Sequence, residues 1–345
     1  MTFLRAIADA LLSLLYAVGW CVQAVLDFLA WLGPAILWFV QWLPARLLGR
    51  TDQELPVGDA ASRGFEYIRD GASGFLDGFS DVTRSIIDVI LAILMRPPGE
   101  NWLSGRRFEP WIGWWDEDTH RLVVVAAFVL LTWALQRNWK VCLLVLVGFL
   151  FILDQGYWDE TAESLTLVLS ACLVCMGIGV PVGIWAAHRP KVYAWLAPVL
   201  DLMQTLPTFV YLIPAIVFFG IGMVPGMIAT VIFVLPAPIR LTHLGISRTP
   251  VALTEAAQAF GATRRQLLWK VELPSAYPQI MAGLNQTIML SLSMVVIAAL
   301  VGARGLGVPV VRALNSVNTS LGFESGIVIV VVAIMLDRML RVSRK

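Results

Sequence analysis

The sequence predicts an all-α, multi-pass membrane protein, and three features carry that reading. Of its 345 residues 58% are hydrophobic and 14% charged, with a mean hydropathy of +0.77, too little polar surface for a water-soluble globule. Seven apolar runs, at about 121–137, 139–153, 162–187, 196–221, 226–243, 276–301 and 324–341, approach or exceed the length that crosses a bilayer. In lipid only helices and closed barrels satisfy every backbone amide, and runs this long and apolar are helices. Third, the basic residues gather between alternate runs, as the positive-inside rule requires of a bundle with a fixed orientation.

The N-terminal third is less regular. Residues 11 to 49 are apolar apart from Gln23, Asp27, Gln41 and Arg46, with Gly33-Pro34 in the middle. A retained span or a membrane-lying hairpin is expected there, since the apolar core of a cleaved signal peptide is shorter. From Thr51 to Gly78 the chain turns polar and glycine-rich, as an exposed segment does. Asp81 to Met95 then reads as an amphipathic helix lying at the interface. Asp81, Arg84, Ser85 and Asp88 form its polar stripe, Ile86, Ile87, Val89, Ile90, Ile93 and Leu94 surround it, and Pro97-Pro98 ends it. Trp102, Trp111, Trp114 and Trp115 suggest a belt at the lipid boundary, as do Trp139, Trp158, Trp185 and Trp195 near the ends of spans.

Orientation follows from charge. Arg137, Lys140, Arg189, Lys191, Arg248, Arg264, Arg265, Lys270, Arg338, Arg341, Arg344 and Lys345 all fall on one side if the spans alternate, and that side is cytoplasmic. Asp154, Asp159, Glu160 and Glu163 fall on the other, where Arg304 and Arg312 are exceptions. The net charge of +1 offers no concentrated basic surface for nucleic acid. Cys21, Cys142, Cys172 and Cys175 all lie in apolar runs, so the Cys172/Cys175 CxxC is read as small packing residues. His120, His188 and His243 are scattered and build no metal site.

The most informative stretch is a charged island between two spans, Glu255 to Pro274. Leu253, Ala256, Ala257 and Phe260 share a helical face, and Gly261 interrupts it as a turn. Leu267, Leu268 and Val271 then recur at helical spacing while Arg264, Arg265 and Lys270 face elsewhere, and Pro274 is expected to stop the run. Two short amphipathic helices bent around a glycine result; basic amphipathic turns are also common in ordinary linkers.

Polar residues within spans are the second signal. Asp201, Gln204 and Thr205 open one span, where Asp201 reaches water near the cytoplasmic end, so interfacial capping is an alternative to a role in transport. Asn285, Gln286 and Thr287 lie deeper, and polar groups at that depth face a bundle interior or a pathway. With Ser291 and Ser293 they form the candidate route. Gly177, Gly179 and Gly183 read as small residues for close helix packing. Gly302, Gly305 and Gly307 read as a flexible extracytoplasmic turn, because no strand precedes them and no Gly-Lys-Ser/Thr follows. Clustered acid–base, nucleophile or metal sets are lacking, which argues against an enzyme.

The island's order, Glu255-Ala256-Ala257, then Gly261, then Val271-Glu-Leu273-Pro274, resembles the cytoplasmic coupling loop of ABC-importer permeases, with Val271 where the family often has isoleucine. The stretches Asp201 to Pro214, Phe219-Gly-Ile-Gly222, Pro236 to Thr242 and Ala282 to Ile297 further resemble permeases of glycine betaine/proline/choline importers, over roughly residues 120 to 341. The resemblance implies a fold of the type I ABC-importer permease kind, with an N-terminal membrane-associated region at 1–118, two accessory spans at 119–157 and a core transmembrane domain at 158–345. It implies a coupling loop at 243–274 that docks into a separate ATPase through Glu255, Ala256, Ala257, Phe260, Gly261, Leu273 and Pro274. ATP and Mg belong to that ATPase, present in two copies, and this chain binds no cofactor of its own. The remaining implied partners are a second copy of the chain, an extracytoplasmic substrate-binding protein and the lipid of a bacterial plasma membrane. The cargo implied is a quaternary or N-methylated amine such as glycine betaine, choline, proline betaine or trimethylamine N-oxide; another small amino acid or osmolyte is the alternative within transport. An ion-coupled secondary transporter is the alternative outside the family.

Overall fold

The computed structural model describes residues 65–67, 69, 71–95 and 117–340, and among them every regular element is helical. The expectations for residues 11–49 and for the tryptophans between 99 and 116 lie outside the described residues. Two compact units are present: a smaller one that ends at Val82 and includes Val217–Phe219, and a larger one made of Thr83–Ile216 and the chain from Gly220 onward.

Helix α1 spans Ser73–Met95 and so begins before the expected Asp81, taking in part of the glycine-rich stretch. Its polar stripe is exposed as expected, while Thr83, Ile87 and Leu94 are buried. The described chain continues with α2 (Glu117–Gln136), α3 (Trp139–Asp154), α4 (Trp158–Ala187), α5 (Pro190–Thr205), α6 (Thr208–Phe219), α7 (Met223–Val234) and α8 (Pro236–Ser247). It ends with α9 (Val251–Ala259), α10 (Arg264–Leu267), a π-helical turn (Leu268–Glu272), α11 (Leu273–Ala299), α12 (Gly307–Ser316) and α13 (Thr319–Leu340). Among the described residues five helical stretches are long and apolar enough to cross a membrane: 118–136, 158–187, 223–247, 264–299 and 319–340.

The expected straight span at 196–221 is instead broken. Helices α5 and α6 meet at 96°. Pro207 supplies the cause: it has no amide proton, and its ring drives Leu206 out of the helical region, to φ −64° and ψ 136°. Tyr211 repairs part of the damage by donating its hydroxyl to the Met203 carbonyl that Pro207 leaves free, with the Leu202 carbonyl also within reach.

Helix α8 packs between α4 and α11, and glycines set the spacing. A Cβ on Gly179 would sit 2.8 Å from Pro238 Cγ, and one on Gly183 would sit 2.7 Å from both Ile239 O and Thr242 Cβ. On the opposite side a Cβ on Gly245 would meet Gln279 Cβ at 2.9 Å. Without a hydrophobic drive between helices in lipid, such close backbone approach is what holds them. The packing role read for Gly179 and Gly183 is therefore observed, whereas Gly177 faces open space.

Val145, Phe149, Ile152, Leu165, Val168, Leu292, Val328, Val332 and Met335 build the main core. Trp158 belongs to it, buried against Phe149, and is not part of an interfacial belt. Trp139, Trp185 and Trp195 are exposed, as a belt requires. The turn read as flexible at 302–307 is tied down. Leu306 N–H donates to Ser164 Oγ at 2.7 Å, Gly222 N–H donates to Val301 O at 2.9 Å, and Gly307 opens α12. Arg304, an exception to the charge rule, lies 3.9 Å from Glu163 and is balanced there.

Candidate functional site: the coupling segment and the polar pairs between spans

After α8 the chain turns at Pro250 into α9, which ends in a complete glycine cap. Gly261 N–H donates to Gln258 O at 2.9 Å, and Ala262 N–H donates to Ala257 O at 3.0 Å. This bond pair requires a left-handed residue after the C-cap, and Gly261 supplies it with φ +79°. Two residues on, Thr263 and Gln266 form a reciprocal capping box that starts α10. The bend read from Gly261 alone is thus built by two adjoining caps; Thr263-x-x-Gln266 was the sequence signal for the second.

No residue of α9 is buried. Glu255 and Ala256 are exposed, Ala257 is half-buried, and Phe260 is 93% exposed. Val251, Leu253 and Trp269 add to an apolar surface presented beside Arg264, Arg265 and Lys270. Exposed apolar surface rimmed by charge is the kind that protein or membrane contacts cover, and seating one large side chain such as Phe260 would contribute about 1.5–3 kcal/mol.

Pro274 does not stop the second helix. Leu273 and Pro274 lie inside a continuous helical stretch from Arg264 to Ala299. A proline within an α-helix clashes with the carbonyl four residues earlier. Here the preceding turn, Leu268–Glu272, is wound as a wider π-helix, and Glu272 within it is buried. Glu272 Oε2 lies 2.9 Å from His188 Nε2 at the end of α4, and His188 Nδ1 lies 2.8 Å from Ile184 O. The π turn is thereby fastened to the bundle by a polar contact between residues that sequence reading left apart.

The route candidates divide between two settings. Asn285 Nδ2 donates to Asp337 Oδ1 at 3.0 Å, and Ser291 is buried, its hydroxyl lacking a partner. Thr287 is buried and donates to Gly283 O at 2.8 Å. Gln286 and Ser293 instead lie on an exposed stripe of α11 with Ala282 and Met289. On the broken span Asp201 Oδ1 pairs with Arg240 Nη2 at 2.5 Å. Gln204 is half-buried there, and Thr205 donates to Leu202 O. Sequence reading missed Arg240 and Asp337; Arg240 is a lone charge within an apolar run, a signal that marks it, whereas Asp337 stands beside Arg338 near the end of a run. Among the described residues no three His, Cys, Asp or Glu side chains gather as a metal site. Cys172 and Cys175 are buried packing residues.

Among the described residues five helical stretches, six counting the bent pair, are long and apolar enough to cross a membrane, and a solvent-presented amphipathic bend lies between two of them, the architecture of a multi-pass membrane protein. Residues 179–343 match the family of binding-protein-dependent transport system inner membrane components. The chain is 43% identical to the glycine betaine transport system permease protein OpuAB of Bacillus subtilis over 284 residues, 82% of this chain and 93% of that protein. It is 50% identical to the glycine betaine/carnitine transport permease protein GbuB of Listeria monocytogenes over 209 residues, 61% of this chain and 74% of that protein. To the glycine betaine/proline betaine transport system permease protein ProW of Escherichia coli it is 46% identical over 217 residues, 63% of this chain and 61% of that protein. The chain belongs to this family: it is an inner-membrane, multi-pass permease subunit of a binding-protein-dependent transport system.

Proposed function

We propose that this permease conducts a quaternary or N-methylated amine osmolyte inward, powered by ATP hydrolysed on a separate subunit. The observation that carries the substrate class is the identity along 93% of a permease named for glycine betaine, joined by two relatives also named for glycine betaine. For the energy source, the support is the exposed bend at Gly261 with Phe260, Leu253 and Trp269 uncovered. Glu255, Ala256, Ala257, Phe260, Gly261, Leu273 and Pro274 form the docking and transmission segment of the 243–274 loop. Two copies of the chain pair, each engaging one ATPase that holds ATP and Mg, and a binding protein delivers substrate to the opposite face. Residues 1–118, 119–157 and 158–345 act as N-terminal region, accessory spans and transport core. Asp201, Gln204, Thr205, Asn285, Gln286, Ser291 and Ser293 contribute to the route.

Reconstitution with the ATPase and the binding protein tests this. Glycine betaine, choline, proline betaine or trimethylamine N-oxide should stimulate hydrolysis and accumulate in the vesicles. Stimulation only by another small amino acid or osmolyte would move the substrate class; uptake driven by an ion gradient without ATP would overturn the reading.

A further inference from the structure

A zwitterion carries opposite charges a few ångströms apart, and the protein holds an opposite pair of its own inside a span. Asp201 Oδ1 and Arg240 Nη2 are 2.5 Å apart, with side chains 65% and 35% exposed. Arg240 sits two helical turns inside Ser247, the last residue of α8, or about 10 Å along the axis. Charged side chains within spans face a bundle interior or a water-filled cavity, because hydrocarbon cannot solvate them. The open side of this pair is therefore not a lipid face.

The pair is also incompletely used. One contact joins the two groups, and Asp201 Oδ2, Arg240 Nε and Arg240 Nη1 make no hydrogen bond among the described residues. Just beyond Asp201 the span breaks at Leu206-Pro207, and α6 restarts at Thr208 with its amide end at the break. Broken helices at membrane depth place backbone groups and helix ends beside a passing solute. An exposed ion pair with spare donors and a spare acceptor, next to such a break, is placed to exchange its partner.

We propose that Asp201 and Arg240 read a zwitterionic substrate in transit. Arg240 donates hydrogen bonds to the substrate carboxylate, the planar fork matching two carboxylate oxygens. Asp201 faces the ammonium centre, which has no proton to donate when fully methylated and is held by charge alone. The pair opens to admit the solute and closes once it has left. The ligand class is a small molecule with a carboxylate and an N-methylated ammonium on the same carbon; a monocation without a carboxylate leaves Arg240 without a second acceptor. This rests on the amine-importer reading above and adds the residues that discriminate.

The test uses the full transporter, with its ATPase and binding protein, in proteoliposomes, reading radiolabelled glycine betaine taken up per ATP hydrolysed. Arg240→Gln and the neutral double variant Asp201→Asn/Arg240→Gln should each lower that ratio at least tenfold, and Arg240→Lys about threefold. A neutral double variant, or the reversed pair Asp201→Arg/Arg240→Asp, that restores a wild-type ratio would show a mere strut and overturn the proposal. If those variants do not assemble, Arg240→Lys decides: an unchanged ratio and an unchanged half-saturating concentration also overturn it. A wild-type complex that accumulates no zwitterionic amine removes the importer reading itself, and this proposal with it.

Discussion

Gly261 is the position where backbone conformation tests the proposed coupling role most directly. A side chain there meets nothing within 4 Å, so the cost of a substitution is in the dihedral angle and not in crowding within this chain. At φ +79° a non-glycine residue costs about 1–2 kcal/mol. That shifts the bent form against alternatives by roughly 5- to 30-fold. Asparagine tolerates the left-handed region better than alanine, so the expected order of uptake is Gly, then Asn, then Ala, and Leu lowest because its bulk projects where a docked subunit would lie. Vesicle uptake and substrate-stimulated ATPase, with membrane insertion checked by fractionation, read the series. Normal uptake by Gly261→Leu, or no difference between Asn and Ala, would refute the argument from the glycine cap.

Gly183→Leu forces a side chain against Ile239 O and Thr242, both on the facing helix; overpacking of this kind costs about 1–3 kcal/mol, and a lower melting temperature of the detergent-solubilised protein would register it. Glu272→Ala removes the contact to the half-exposed His188 Nε2, a loss of about 0.5–1.5 kcal/mol, whereas Glu272→Gln keeps a hydrogen bond and should cost less; the same melting assay separates them. Tryptophan faces bind quaternary ammonium groups well, yet Trp139, Trp185 and Trp195 are exposed near helix ends and no tryptophan lies among Asn285, Ser291 and Ser293. Calorimetry on the isolated permease should accordingly show no micromolar amine binding, and the binding protein should show it.

Local chemistry made the coupling bend legible. Glycine after a helical run and the Thr-x-x-Gln spacing each announce a cap within a few residues. Five of the seven apolar runs were equally readable, since bilayer thickness fixes their length; the run at 196–221 bends by 96° and the run at 139–153 forms a 16-residue helix that is not among the stretches long enough to cross. Pro274 misled because a proline ordinarily ends a helix, and nothing in a one-dimensional pattern shows that the turn before it is wound more widely. Trp158 misled because a tryptophan near a span end suits both a belt and a core, and only its neighbour Phe149 decides. The pairs His188–Glu272, Asp201–Arg240 and Asn285–Asp337 bring together residues 84, 39 and 52 positions apart. Each member alone reads as an isolated polar residue; the partner exists only once the helices pack.

The unbroken helix from Arg264 to Ala299 turns the docking segment into a lever. Its 36 residues give a rod about 54 Å long, with no hinge at Pro274. A tilt of about 10° about Glu272 would sweep Ala299, about 40 Å away, through roughly 7 Å, more than half the width of a helix with its side chains. Because the fastening at His188 lies close to the driven end, it acts as the fulcrum. Were the exposed end driven, the stroke would reach the tied turn at Gly302–Leu306, where Leu306 holds Ser164, at the opposite mouth of the bundle.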